Sequence, residues 1–158
     1  MLFTGSSLFA TCDNIMRIYF DGVLQFQDSD WGTDTYQWVR TTELFIPYGT
    51  QVLGIECLDF GGARGILAST ADGMLTDTSW VCTNNQALGG SAETGLGIWA
   101  EPDFEDTNGD FSTAYTDPKL GPTSAQSRPN IATAAQWIWA DQNSKWSACK
   151  KRLSSGET

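Results

Sequence analysis

Residues 12–22, CDNIMRIYFDG, alternate side-chain character with a period of two and then stop at an Asp-Gly pair, and no other feature restricts the fold as much. On an extended strand Cys12, Asn14, Met16, Ile18 and Phe20 share one face, and Asp13, Ile15, Arg17 and Tyr19 the other. The first is the predicted core face. Asp21-Gly22 suits a tight type I′ turn, whose central residues both take positive φ, so Val23 to Phe26 is expected to return as the partner strand.

Two more segments repeat the pattern. TELFIP puts Leu44 and Ile46 together and ends at Pro47, with Tyr48-Gly49 as a turn. QVLGIECLDF puts Leu53, Ile55 and Cys57 on one face. Hardly any stretch carries apolar residues at three- and four-residue spacing, and no helix is predicted. Seven Trp, four Tyr, eight Phe and 16 Gly in 158 residues fit strands and turns. The expectation is one all-β domain over residues 1–158, long enough to bury about two thirds of its unfolded surface.

The four cysteines permit three pairings. Cys12 and Cys57 both fall on apolar faces, at opposite ends of their strands, so antiparallel neighbours would bring the sulfurs together. That parity favours Cys12 with Cys57 and leaves Cys82 with Cys149; four buried free thiols are the alternative. No C-x-x-C spacing suggests a zinc or redox site.

Charge and composition exclude several functions. The net charge of −10, with Lys and Arg scattered except for Lys150, Lys151 and Arg152, repels phosphate backbones and anionic membranes. No 18-residue apolar run is present, so membrane insertion is not expected. The opening MLFTGSSLFAT lacks the basic start and apolar length of a signal peptide. There is no histidine, which removes Ser-His-Asp and Cys-His catalysis and His-ligated zinc. Carboxylate-pair chemistry is still open, yet 19 scattered acids form no evident pair.

The order CDNIMRIYFDGV, QDSDWG, FIPYGTQVLGIECLDFGGARGILAS, LTDTSWVC and AAQWIWA resembles the galactose-binding-like jelly-roll module. Such modules accompany bacterial rhamnosidases and other glycoside hydrolases and recur in secreted invertebrate proteins. The likeness runs from about Thr11 to Arg152 and lies in five short motifs in sequence. It implies an antiparallel β-sandwich with a jelly-roll path, a secreted setting, and sugar-binding loops at one end beside a structural calcium. Fold by itself does not fix function.

The candidate sites follow from chemistry that suits sugars: indole faces for C–H surfaces, and carboxylates, amides and Arg for hydroxyls. Trp137 and Trp139 share a face of AQWIWA and are predicted to be core, and Trp80 to anchor the TDTSW turn. Trp31 stands among polar turn-formers in QDSDWGTD and is the candidate stacking platform, with Asp30 as hydroxyl acceptor. Asp59 and Arg64 flank the glycines of LDFGGARG; they suit either paired contacts to sugar hydroxyls or an internal ion pair. Asp106, Asn108 and Asp110 have the spacing of the first ligands of a calcium loop. Phe111 and Asp117, however, stand where that loop needs Gly and Glu. Asp/Asn/Gly turns also form without metal. Residues 115–133 read as one long loop able to shape a binding rim.

Two function classes result. One is a non-catalytic carbohydrate-binding module or lectin of a secreted protein, with glycans as partners and a homodimer if it cross-links. The other is a structural or adhesive extracellular-matrix module that binds calcium, mineral or a protein partner through its acidic surface.

Overall fold

The computed structural model describes residues 2–28, 40–91, 93–121 and 130–153. These residues form two antiparallel sheets packed together as a β-sandwich. The strands are β1 (Ser6–Asp13), β2 (Ile15–Phe20), β3 (Val23–Gln27), β4 (Thr42–Ile46), β5 (Val52–Leu58), β6 (Gly65–Thr70), β7 (Val81–Thr83), β8 (Ser112–Thr113) and β9 (Trp146–Arg152). One sheet has the order β4-β1-β6, the other β3-β2-β5-β9-β7-β8. The only helical elements among the described residues are two 3-10 turns, Gln86–Leu88 and Ile98–Ala100.

The run that opens the sequence reading is two strands in two sheets. β1 ends at Asp13 in the small sheet and β2 begins at Ile15 in the large one. Asn14 fixes the crossing: its N–H donates to the Leu58 carbonyl at 3.0 Å, and its side-chain oxygen accepts from the Phe60 N–H at 2.8 Å. A polar residue is therefore required where a simple strand pattern would place an apolar one. The hairpin forms as expected, with Asp21 and Gly22 at φ 50° and 82° and β2 paired to β3.

The disulfides are Cys12–Cys57 and Cys82–Cys149. Parity put the first pair on apolar faces correctly, but the bond spans the two sheets. The residue opposite Cys57 on β2 is Met16. Cys82 and Cys149 face one another across β7 and β9.

Apolar residues fill both sides of the large sheet. Between the sheets, Leu8, Met16, Ile18, Phe20, Leu53 and Ile55 pack with Trp80 and Trp139. Trp80 anchors its turn by donating Nε1–H to the Leu75 carbonyl at 3.0 Å. The other side is covered by residues of the segment between β7 and β8, and there Tyr19, Val52, Trp99, Ala100, Trp146 and Ala148 form a second cluster. Gly54 allows that cover to approach, since a Cβ there would lie 2.7 Å from both the Trp99 ring and the Ala100 methyl.

A charged group lies beneath the same cover. The carboxylate of Glu56, fully buried, accepts from the Tyr19 hydroxyl, from Trp146 Nε1 at 3.0 Å and from the Gly90 N–H at 3.3 Å. Arg17 stands 3.5 Å away and also donates to the Gly90 carbonyl and to Gln27 Oε1. A buried carboxylate is tolerable only when its lone pairs are met in this way. The cluster ties β2, β5, β9 and the covering segment at one point.

Candidate functional site

The chain leaves the large sheet at Leu58, the end of β5, and enters the small sheet at Gly65, the start of β6, and the intervening turn carries Asp59 and Arg64. Asp59 is buried; its N–H donates to the Lys145 carbonyl at 2.7 Å and Oδ1 accepts from the Gly61 N–H at 3.1 Å. Arg64 Nε lies 3.6 Å from Asp59 Oδ2, and its Nη1 donates to the Ser144 carbonyl at 2.8 Å. The internal ion pair is thus present. Burial leaves Asp59 a structural anchor of the turn, whereas Arg64 lines a surface groove.

That groove, about 220 Å³, also takes in Tyr115, Asp117, Lys119 and Gln142. A second one of about 260 Å³ adjoins it, sharing Asp117 and Leu120 and adding Gln136 and Trp137. Three loops meet here: the turn after β5, residues 115–121, and residues 135–142. Backbone bonds lock them together, with Gly121 N–H on the Arg64 carbonyl, and Tyr115 and Trp139 bonded to each other both ways.

Trp137 was expected in the core and is instead half-buried. Its indole lies flat against glycine backbone: a Cβ on Gly65 would come within 2.7 Å of the ring, and one on Gly121 within 2.5 Å. Trp137 also lines the groove of about 260 Å³. Trp139 and Ile138 are both fully buried, because this segment makes only isolated bridges and does not keep strand alternation. Aromatic residues at an end of strand-like sequence therefore divide between core and surface in a way that period-two counting does not show.

Thr116, Asp117 and Gln136 line the same groove as the indole. Asp117 accepts from the Lys119 N–H and from the Tyr115 hydroxyl, both at 2.8 Å. Those bonds hold its carboxyl below the usual range, and the same Asp117 contact raises the Tyr115 phenol. Behind the groove, Asp141 organises the loop before β9. Desolvation alone would raise its carboxyl, but the hydroxyl and N–H of Ser144, the N–H of Asn143 and the amide of Asn84 bring it down to about 2. Asp117 is the one carboxylate among the described residues of the two grooves.

The remaining predicted residues lie elsewhere. Asp30 and Trp31 fall outside the described residues. Asp106 sits in an exposed turn between the Ile98–Ala100 turn and β8, and accepts from the N–H groups of Asp110 and Phe111 at 2.9 and 2.8 Å. The Phe111 bond leads in holding its carboxyl below the ordinary value. Both Asp106 oxygens thus serve the turn that Asn108 and Asp110 complete. Among the described residues no group of three or more Cys, Asp or Glu is placed to hold a metal ion, and no helix is long and apolar enough to cross a membrane.

No sequence pattern marks Tyr115, Lys119, Gln136 or Gln142 as site residues, and Asp117 stands out only as a mismatch to the calcium loop. The one signal was the long Pro-rich loop, read as able to shape a rim, and residues 115–120 do border the grooves. The chain matches no protein-family model, no curated protein and no solved structure.

Proposed function

We propose that the protein is a non-catalytic carbohydrate-binding module of a secreted protein, and that a sugar lies along the two adjoining grooves. The observation that carries this is the half-buried Trp137 indole, flat on glycine backbone beside Arg64, Asp117, Lys119 and two glutamines. A fixed aromatic plane next to charged and amide groups suits the C–H face and hydroxyl edge of a pyranose. Its backing by backbone lowers the entropy lost on binding, because the ring has few other positions.

Further support comes from chemistry. One carboxylate among the described residues of the grooves, and no histidine in the chain, suits binding rather than acid–base turnover. Two disulfides suit an oxidising, extracellular setting. Calcium enters the proposal as an accessory of the loops, by way of the acidic surface.

Tryptophan fluorescence titrated with free mono- and oligosaccharides, in calcium and again in chelator, tests the reading. Saturable quenching that Trp137→Ala removes is the expected result; loss only in Trp31→Ala would move the site to that loop. No quenching by any sugar, with binding to acidic or mineral surfaces that weakens as salt rises, would replace the reading with the matrix-module alternative.

A further inference from the structure

A cleft of about 240 Å³ opens on the outer side of the large sheet, at the end of β5 and β9 opposite the Trp137 grooves. Val52 and Val81 give it apolar walls and Phe104 an aromatic one, while Lys150 and Arg152 bring two cations; Ser79 and Glu101 complete it. Register explains the convergence. Lys150 stands opposite Gly54 and Val81, Arg152 stands opposite Val52, and residues two apart on β9 project from the same face.

Among the described residues neither cation has a carboxylate within 4 Å. Lys150, half-buried, donates from Nζ to the Trp99 carbonyl at 2.7 Å and lies 4.6 and 4.2 Å from the ring centres of Phe104 and Phe111. Arg152 donates to the Pro102 carbonyl at 2.8 Å. Among the described residues the ion pairs within 4 Å are Arg17–Glu56 and Arg64–Asp59, and neither includes this pair. Burial pushes the Lys150 ammonium down to about 8, the Arg152 charge acts in the same direction, and Asp106 opposes it. An ammonium taken from water with neutral hydrogen-bond and ring partners, and Asp106 acting only through its field, is under-compensated, and a docked anion would relieve it. In a chain of net charge −10 this is a local property, not a general attraction for anions.

We propose that this cleft is a binding site for a small organic monoanion, with a carboxylate held by Lys150 and Arg152 and an apolar body against Val52, Val81 and Phe104. An ammonium has three donors and the Trp99 carbonyl takes only one of them, so Lys150 keeps hydrogen-bonding capacity for a ligand. Arg152 adds a planar fork suited to a carboxylate. Glu101 in the lining and Asp106, whose field reaches Lys150, set the charge of the ligand. A single negative charge is attracted, and a polyanion is repelled. The apolar walls exclude a bare inorganic ion as the best ligand. This site stands apart from the Trp137 grooves, and its fate does not depend on whether they bind sugar.

Benzoate is the probe and benzyl alcohol its neutral counterpart, each titrated into the oxidised protein and followed by amide NMR. Expected are saturable benzoate shifts centred on Val52, Val81 and Lys150, and a rise in the Lys150 Nζ pKa on binding. Affinity should fall about tenfold or more in Lys150→Met and in Arg152→Gln, the scale of a lost charge-assisted hydrogen bond. Arg152 is exposed, so its variant tests the site even if Lys150→Met folds poorly. Equal binding of benzyl alcohol, unchanged benzoate affinity in a folded variant, or no saturable shift at these residues would overturn the proposal.

Discussion

The two sides of the large sheet are both buried but held by different chemistry. Between the sheets the contacts are apolar and covalent: Leu, Ile and Met side chains, two tryptophans and two disulfides. Under the segment between β7 and β8 the contacts are aromatic and ionic: Tyr19 and Trp146 bond the Glu56 carboxylate of the Arg17–Glu56 pair, and Trp99 packs edge-on to Tyr19. The inner layer tolerates a volume-conserving exchange, as close-packed hydrophobic cores do. The outer layer does not tolerate losing one partner, because a buried charge is left behind. Cohesion comes from burial in one layer and, in the other, also from the hydrogen bonds that Tyr19, Trp146 and Gly90 give the buried Glu56 carboxylate.

The largest effect expected is from breaking the inner layer's covalent ties. The disulfides close sequence separations of 45 and 67 residues, and on the chain-entropy model each contributes about 4 kcal/mol. Replacing all four cysteines by alanine should leave the domain largely unfolded in urea titrations at room temperature. Full retention of the native transition would show that apolar packing alone suffices. For the outer layer, Glu56→Ala should cost about 3–5 kcal/mol by the same assay, with Arg17→Met/Glu56→Leu recovering much of it. A loss below about 1 kcal/mol in the single variant would erase the contrast between the layers.

Smaller in scale, Gly54→Ala inserts a methyl 2.7 Å from Trp99 and Ala100. Overpacking there should cost about 1–3 kcal/mol and perturb Trp99 fluorescence while the inner layer is unaffected.

The alkaline limb gives the mildest effect and separates two residues of the outer layer. Lys150 falls from an ordinary 10.5 to about 8, so the unfolded chain holds the extra proton between those values and stability rises with pH there. Tyr19 is raised above its ordinary 10 by burial and by the Glu56 carboxylate. Its contribution is complete below pH 10 and is lost as pH rises beyond that, when the unfolded phenol ionises first. Denaturation midpoints should therefore climb above pH 8 and turn down past pH 10. Lys150→Met should flatten the climb and Tyr19→Phe the fall; identical curves in the variants would contradict both assignments.

The inner layer could be read from the sequence because its rule is local. Met16, Ile18 and Phe20, and Leu53, Ile55 and Cys57, mark their face by alternation alone, and Asp21-Gly22 marks its turn. The outer layer follows no such rule. Arg17 and Glu56 look like solvent positions in any period-two count, and only the covering segment, far away in sequence, makes them interior. The crossing at Asn14 was hidden for a related reason: its polarity serves Leu58 and Phe60, some 45 residues on. At the grooves, Arg64 is marked in the sequence by its place in LDFGGARG, and it lines one of them. Trp137 is not so marked, since its exposure depends on Gly65 and Gly121 lying beneath the ring. Tyr115 and Asp117 reach the same place through a bridge to Trp139 that no local pattern announces.

Whether the Trp137 grooves take a sugar is decided by a glycan-array screen of the oxidised protein beside Trp137→Ala. Binding of the native protein to a defined set of glycans, abolished in the variant while its denaturation midpoint stays close to native, is the predicted result. An array on which the folded native protein binds nothing, or on which Trp137→Ala binds as the native protein does, would contradict sugar binding there.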